Sequence, residues 1–263
     1  MSRPPKAPKK RILDDEGLRP YVTGLIDVKG WFRTMRHPVA SLRTVVGDGP
    51  LYALLVLAGL NTIDWMDRSG FGILLPDIRD YFGMSDAGIT SLVAITLLGA
   101  LLLQLPIAVM ADRSNRVRLV VLGGIVWGVF AFFTGSASTI WMLVLYRSGT
   151  GVGRAVVDPT HNSLLSDYYT VDRRPAVFSF HQASQAVGAC VGPLAAGALT
   201  NAFGWRVPFF LFALPALILV PLAMRLREPV RGAQERRAIG ATEESIETEE
   251  PVPSFGEAWR LVW

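Results

Sequence analysis

The chain has 263 residues, 51% of them hydrophobic and only 18% charged, against about 25% charged in soluble domains. The charges crowd into both ends and a few short knots, leaving apolar runs of about 20 residues, enough to cross a hydrocarbon core roughly 30 Å thick. That pattern excludes a soluble α/β domain, whose helices need a polar face, and the single cysteine, Cys190, excludes an internal disulfide.

In chain order, the N-terminus "MSRPPKAPKKRILDDEG" is basic with no apolar core behind it, so it is not a cleaved signal peptide. Residues 1–49 are expected to form an N-terminal segment that is disordered at its start. Within it, "GLIDVKGWFRTMRHPVASLRTVV" alternates apolar and basic residues. It reads either as an amphipathic helix on the inner leaflet or as an ordinary lead-in. Residues 50–226 are expected to form an all-α membrane domain, a six-transmembrane-helix bundle. Its spans run approximately over Leu51 to Leu75, Ile89 to Met110, Leu119 to Phe133, Trp141 to Leu165, Ala176 to Leu199 and Val207 to Met224. The third is expected to continue through "TGSAS", and Cys190 in the fifth reads as a small core residue. Residues 227–263 read as a charged linker followed by the start of a helical segment, "SFGEAWRLVW", so the sequence is expected to be one part of a longer arrangement.

Basic residues in the short loops set orientation. Arg113, Arg116 and Arg118 lie in the second loop, Arg173 and Arg174 in the fourth, and "MRLREPVRGAQERR" follows the sixth span. The odd-numbered loops are acidic, neutral or nearly so. Both termini are therefore expected in the cytoplasm and the protein in the plasma membrane. This placement explains the net charge of +4 without a nucleic-acid partner.

Charges inside spans are the functional signal, because a charge at the bilayer centre costs roughly 2.5–3.5 kcal/mol on insertion scales. Asp64, Asp67 and Arg68 share one face of the first span, and Arg154, Asp158 and His161 one face of the fourth. Together they suit a polar cavity. Arg68 and Arg154 would hold an anionic group, the aspartates would carry a proton, and His161 would relay it. The alternative is internal neutralisation, Arg68 by Asp64 and Arg154 by Asp158. On the fifth span, His181, Gln182 and Gln185 are polar. Gln182 and Gln185 share a face and either bond a solute or bond a neighbouring helix. No nucleotide loop, metal-ligand cluster or nucleophile constellation occurs: "GTGVG" lacks the Gly-Lys-Ser/Thr of a phosphate cradle. An enzyme, a cofactor and a metal are not expected.

The second loop resembles a signature of the major facilitator superfamily of secondary transporters, Gly-x-Leu-x-Asp-Arg-x-Gly-Arg-(Arg/Lys). Here Ala108 and Asn115 replace its glycines around Asp112, Arg113, Arg116 and Arg118. Arg147, Gly151, Gly153 and Ala155 match that family's fourth-span Arg-x-x-x-Gly-x-Gly-x-Ala. Gly188, Gly192, Pro193 and Gly197 resemble its fifth-span Gly-Pro signature, and "DRSGFGILLPDIRDYF" and "SDYYTVDRR" resemble the spinster-like branch. The resemblance covers about residues 50 to 260 and implies the amino-terminal six-helix half of a twelve-helix transporter. It implies alternating access for a small organic, anionic or lipid-like solute, with a carboxyl-terminal six-helix half as partner and the lipid bilayer as surroundings. It also implies a cytoplasmic latch at Asp112, Arg113 and Arg116, to which Asp167 adds a second carboxylate partner. Arg147, Gly151, Gly153, Gly188, Gly192, Pro193 and Gly197 would serve helix packing. Where the branch commonly has Glu after Gly-x-Gly this chain has Arg154, which puts the usual proton route in doubt. Two alternatives stand beside this reading: a complete six-span protein working as an oligomer, and a non-transporting sensor or scaffold.

Overall fold

The computed structural model of the protein describes residues 38–242 and 244. The chain divides into two units, Met1–Thr44 and Val45–Trp263, and a short helix, α1 (Pro38–Val46), runs across the division. The amphipathic run before Pro38 and the "SFGEAWRLVW" stretch lie outside the described residues. So do the side chains of Asp112, Arg113 and Asp158.

Six spans follow α1. They are α2 (Leu51–Phe82), α3 (Asp86–Arg113), α4 (Arg116–Gly135), the pair α5 (Ile140–Ala155) and α6 (Val157–Tyr168), α7 (Arg174–Phe203) and α8 (Val207–Ala223); α9 (Ala233–Ala238) comes after them. Within α3, α4 and α7 there is enough length and apolar character to cross a membrane, and α8 is a shorter apolar helix. The first and fourth spans carry the intramembrane charges, which lower their hydropathy.

Local signals fix the ends. Gly83 closes α2 in the left-handed region, φ 62°, where a side chain would be strained, and its N–H meets the Asp80 carbonyl. Ser85, Asn115 and Thr139 each accept a backbone N–H at the start of α3, α4 and α5. Asn115 thus gains a capping role at a position where the loop signature carries glycine.

Two spans depart from expectation. The first runs seven residues past Leu75, so most of the expected loop is helix. The fourth is broken at Val156, and the cause is Pro159, which has no N–H for the Ala155 carbonyl and crowds it sterically. The third stops at Gly135 rather than continuing through Ser138.

Along α2 the packing forms three tiers. Ala53, Leu54 and Leu57 join Val117, Leu164, Leu165 and Val177 in one apolar cluster. Phe71, Leu74 and Ile78 join Leu143, Trp205 and Phe209 in another. Between these tiers lie the polar positions Asn61, Asp64 and Asp67, all buried. Helices α2 and α7 run parallel and touch backbone to backbone. A Cβ on Gly188 would stand 2.2 Å from the Thr62 carbonyl oxygen, and one on Gly192 2.4 Å from that of Met66. Gly153 meets α4 equally closely, 2.5 Å from the Trp127 nitrogen. Gly197 differs: its nearest neighbour is Ile73 at 4.0 Å, so no close approach depends on it. Cys190 points outward from the bundle rather than into the core.

Candidate functional site

The site is built where α2 meets the broken fourth span. Arg147 NH1 donates to both carboxylate oxygens of Asp67, at 3.2 and 3.1 Å. Arg154 Nε donates to Asp64 Oδ1 at 2.5 Å, and its NH2 to Asp67 Oδ2 at 2.9 Å. The four side chains form one network of two carboxylates and two guanidiniums. Charge balance is what makes it tolerable at mid-bundle, since an unpaired charge there would lose its hydration without compensation. The Arg147 guanidinium also lies 4.0 Å over the ring of Phe71, a cation–π contact.

For Asp64 and Asp67, neutralisation therefore runs between helices. Asp64 is paired with Arg154, not with Arg68 one turn along its own helix. Arg68 is exposed and stacks 4.9 Å from the Trp65 ring. Arg147, which the signature placed with the packing residues, belongs to the charge network. Gln182 is exposed and Gln185 half-buried, whereas their neighbour His181 turns into the core.

A histidine pair adjoins the network. His161 Nδ1 and His181 Nε2 are 3.2 Å apart, and both rings are buried. Asn61 of α2 donates to the His181 carbonyl at 3.0 Å and to Ser184 Oγ at 3.2 Å, with the same nitrogen 3.5 Å from His181 Nδ1. His161 and Asp64 line one small cavity of about 20 Å³ with Trp127 and the backbone around Val156. That is room for about one water molecule. A larger cleft of about 500 Å³ opens on the other side of Arg154. Arg68, Arg154 and Gln104 are its polar lining, and Leu97, Leu98 and Leu101 its main apolar wall.

A second charged cluster sits at the end of the bundle where α4 and α7 begin. Arg116 is buried and donates to Glu228 at 2.7 Å, to Ser163 Oγ at 2.7 Å and to the Pro229 carbonyl at 2.9 Å, and it also pairs with Asp167. Glu228 accepts the Val117 N–H at 2.9 Å, so it answers the positive end of α4 as well. Asp167 accepts the Gly232 N–H at 3.0 Å. Arg174 pairs with Glu235 at 2.7 Å and donates to the Ser166 carbonyl. The hydrogen bond from Arg174 holds the Glu235 carboxyl below its usual range. Residues 227–238, expected as linker, form a strap ending in α9, tied across α4, α6 and α7. Of the expected latch residues, Arg116 and Asp167 meet here.

Apolar helices packed around a buried, balanced charge network define a helical integral membrane protein. Residues 57–263 match the family model of the Major Facilitator Superfamily, and the chain belongs to that superfamily. It is 27% identical over 64% of its length to the Probable L-galactonate transporter of Escherichia coli (strain K12). It is 28% identical over 75% of its length to the human Protein spinster homolog 1. Among solved structures, it resembles a bacterial homolog of the human lysosomal transporter Spinster, in an inward-facing and unoccupied conformation. That match has a TM-score of 0.63 and 26% identity, over 80% of this chain and 48% of the other. The chain spans 37% of the L-galactonate transporter and 39% of the human spinster homolog.

Proposed function

We propose that this chain is the amino-terminal six-helix half of a secondary transporter that carries a small organic anion with an apolar portion by alternating access. The observation that carries the reading is the position of Arg154. It holds Asp64 and Asp67 on one side and lines a cleft on the other, together with Arg68, which has no carboxylate partner among the described residues. An anion entering the cleft meets two guanidiniums, one stacked on Trp65 with no salt bridge to a carboxylate among the described residues and one able to exchange carboxylates. The leucines beside them suit an apolar body, and the name of the L-galactonate relative supplies a carboxylate-bearing class. A carboxyl-terminal half would close the cavity, since alternating access needs two bundles moving about a central site. The termini and strap face the cytoplasm on this reading, by the loop arginines, and the strap latches that end. Asp158, Gln182 and Gln185 remain assigned to the solute path.

Direct binding tests it. The purified chain in lipid nanodiscs is titrated with radiolabelled L-galactonate and, separately, with a single-chain anionic lysolipid. Arg68→Gln and Arg154→Gln should each weaken the bound class by about tenfold or more, the scale of a charge-assisted hydrogen bond. A neutral sugar alcohol or zwitterionic lysolipid should bind at least as poorly. Binding that neither substitution alters, or no binding of either anion, overturns the anion site.

A further inference from the structure

The His161–His181 pair has no part in the anion reading, and its geometry fixes more than its burial does. A bond between two imidazoles needs one nitrogen with a proton and one without. The Asn61 amide decides which. Its nitrogen donates to the His181 carbonyl and to Ser184 Oγ, whose own hydroxyl donates to the same carbonyl at 2.7 Å. That donor nitrogen faces His181 Nδ1 at 3.5 Å, a place where a ring N–H would confront another donor. His181 therefore carries its proton on Nε2 and donates to His161 Nδ1. His161 in turn carries its proton on Nε2. Three spans are joined this way: α2 through Asn61, the fourth through His161 and α7 through His181.

The charged surroundings are also defined. From α2, Asp64 lines the cavity that His161 lines, and Arg154 of α5 is bonded to that carboxylate. From α4 come only Val120, two glycines and Trp127, whose buried indole N–H has no partner among the described residues. Among the described residues α3 places none in this cavity. Asp158 lies one turn before His161, with a side chain outside the described set. Among the described residues the carboxylate that lines this cavity is Asp64, and Arg154 is what offsets it.

We propose that His161 and His181 form a single-proton site that loads when an anion draws Arg154 away from Asp64. In the structure Arg154 is the counter-ion of Asp64. If the guanidinium turns to a carboxylate or phosphate in the cleft, Asp64 is left as an unpaired anion in the cavity that the neutral His161 ring also lines. One proton then passes from a hydronium ion to the pair: an N–H bond forms, the hydronium O–H bond breaks and a water molecule leaves, and the imidazolium replaces the guanidinium as the cation that offsets Asp64. Two rings sharing one hydrogen bond accept one proton, not two, because a second would set like charges about 3 Å apart. Anion and proton then bind with positive coupling, and each raises the affinity for the other by the same factor. This inference rests on the anion reading of Arg154 and extends it to the coupling ion. It also supplies a carrier for a protein that has arginine, not glutamate, at position 154.

The chain has three histidines, His37, His161 and His181, so selective 15N-histidine labelling of this chain carrying His37→Gln, in nanodiscs, leaves two imidazoles to observe. At neutral pH the expected spectrum shows a scalar coupling across the N–H···N bond from His181 Nε2 to His161 Nδ1. On acidification both rings should change in one step that takes up one proton. Arg154→Gln mimics the anion-loaded state, and at a fixed mildly acidic pH it should raise the protonated population about tenfold, one unit of differential interaction. Adding Asp64→Asn should remove that rise. Rings that titrate separately, or a protonated population unchanged by Arg154→Gln, overturn the proposal; the unsubstituted residues at 64 and 154 already test the first point should a variant not fold. Loss of anion binding in the earlier titration with this pattern intact would leave the single-proton site and its counter-ion standing and overturn the anion as its trigger, together with the anion reading.

Discussion

Asp67 is fully buried and answered by two arginines from α5, one of which also meets Asp64. Removing one member of a buried ion pair leaves a charge without hydration or partner, at about 3–5 kcal/mol. Arg147→Met should therefore destabilise the protein by about 3 kcal/mol, the lower end of that range, because Arg154 still reaches Asp67. Asp67→Asn combined with Arg147→Met should be less damaging than the sum of the two single changes. Thermal unfolding in detergent measures the cycle, and an Arg147→Met protein within about 0.5 kcal/mol of the parent, the ordinary surface range, removes Arg147 from the network. At this scale much was legible. Charges three and four apart on the first and fourth spans marked the polar face of each helix. The partners were not legible, because periodicity gives a face but not the rotation of one helix against another. Arg147 sits seven residues before Arg154, two turns away on the same face, and that spacing is the signal that was available.

Among the elements, the strap is where tertiary contact overrides local sequence. "REPVRGAQERR" is charged and short of apolar residues, which reads as linker. Its order comes from partners 59 to 117 residues away, such as Tyr168 for Arg227 and Ser114 for Arg231. The left-handed Gly232, φ 66°, turns the chain into α9. The break in the fourth span, by contrast, carried its own mark in Pro159. The strap gives a pH prediction. Glu235 has a carboxyl pKa held below its usual 4.5 by Arg174. Its contribution is therefore complete above the usual value and lost as pH falls through the lowered one. Hydrogen exchange of residues 233–238 should accelerate below about pH 4.5 while the amides of α2 and α7 stay protected. Because Glu235 is half exposed, the effect should stay within the surface-pair range of about 1 kcal/mol or less, and Glu235→Gln should abolish the acid step. Exchange in 233–238 that is insensitive to pH beyond its intrinsic chemistry would separate the strap from this ion pair.

For the molecule as a whole, the six-span architecture could be read from where apolar runs stop and arginines gather, while the tiering of α2 emerged only once its neighbours were in place. The network also has a history in time. Asp67 and Arg147 are 80 residues apart, and Asp64 and Arg154 are 90. Chains are synthesised at roughly 5–20 residues per second, so the first span emerges from the ribosome roughly 4 to 18 seconds before its counter-ions exist. During that interval a helix whose apolar stretch, residues 51–75, holds two carboxylates and one arginine has no reason to settle in lipid. Nascent chains stalled before Arg147 should keep the first span cross-linkable to the insertion machinery, and chains stalled well beyond Arg154 should release it. Asp64→Leu with Asp67→Leu should release it early. Quality control of this protein would then act on a late-born pair of arginines, and a defect in the fourth span would be sensed as failure of the first.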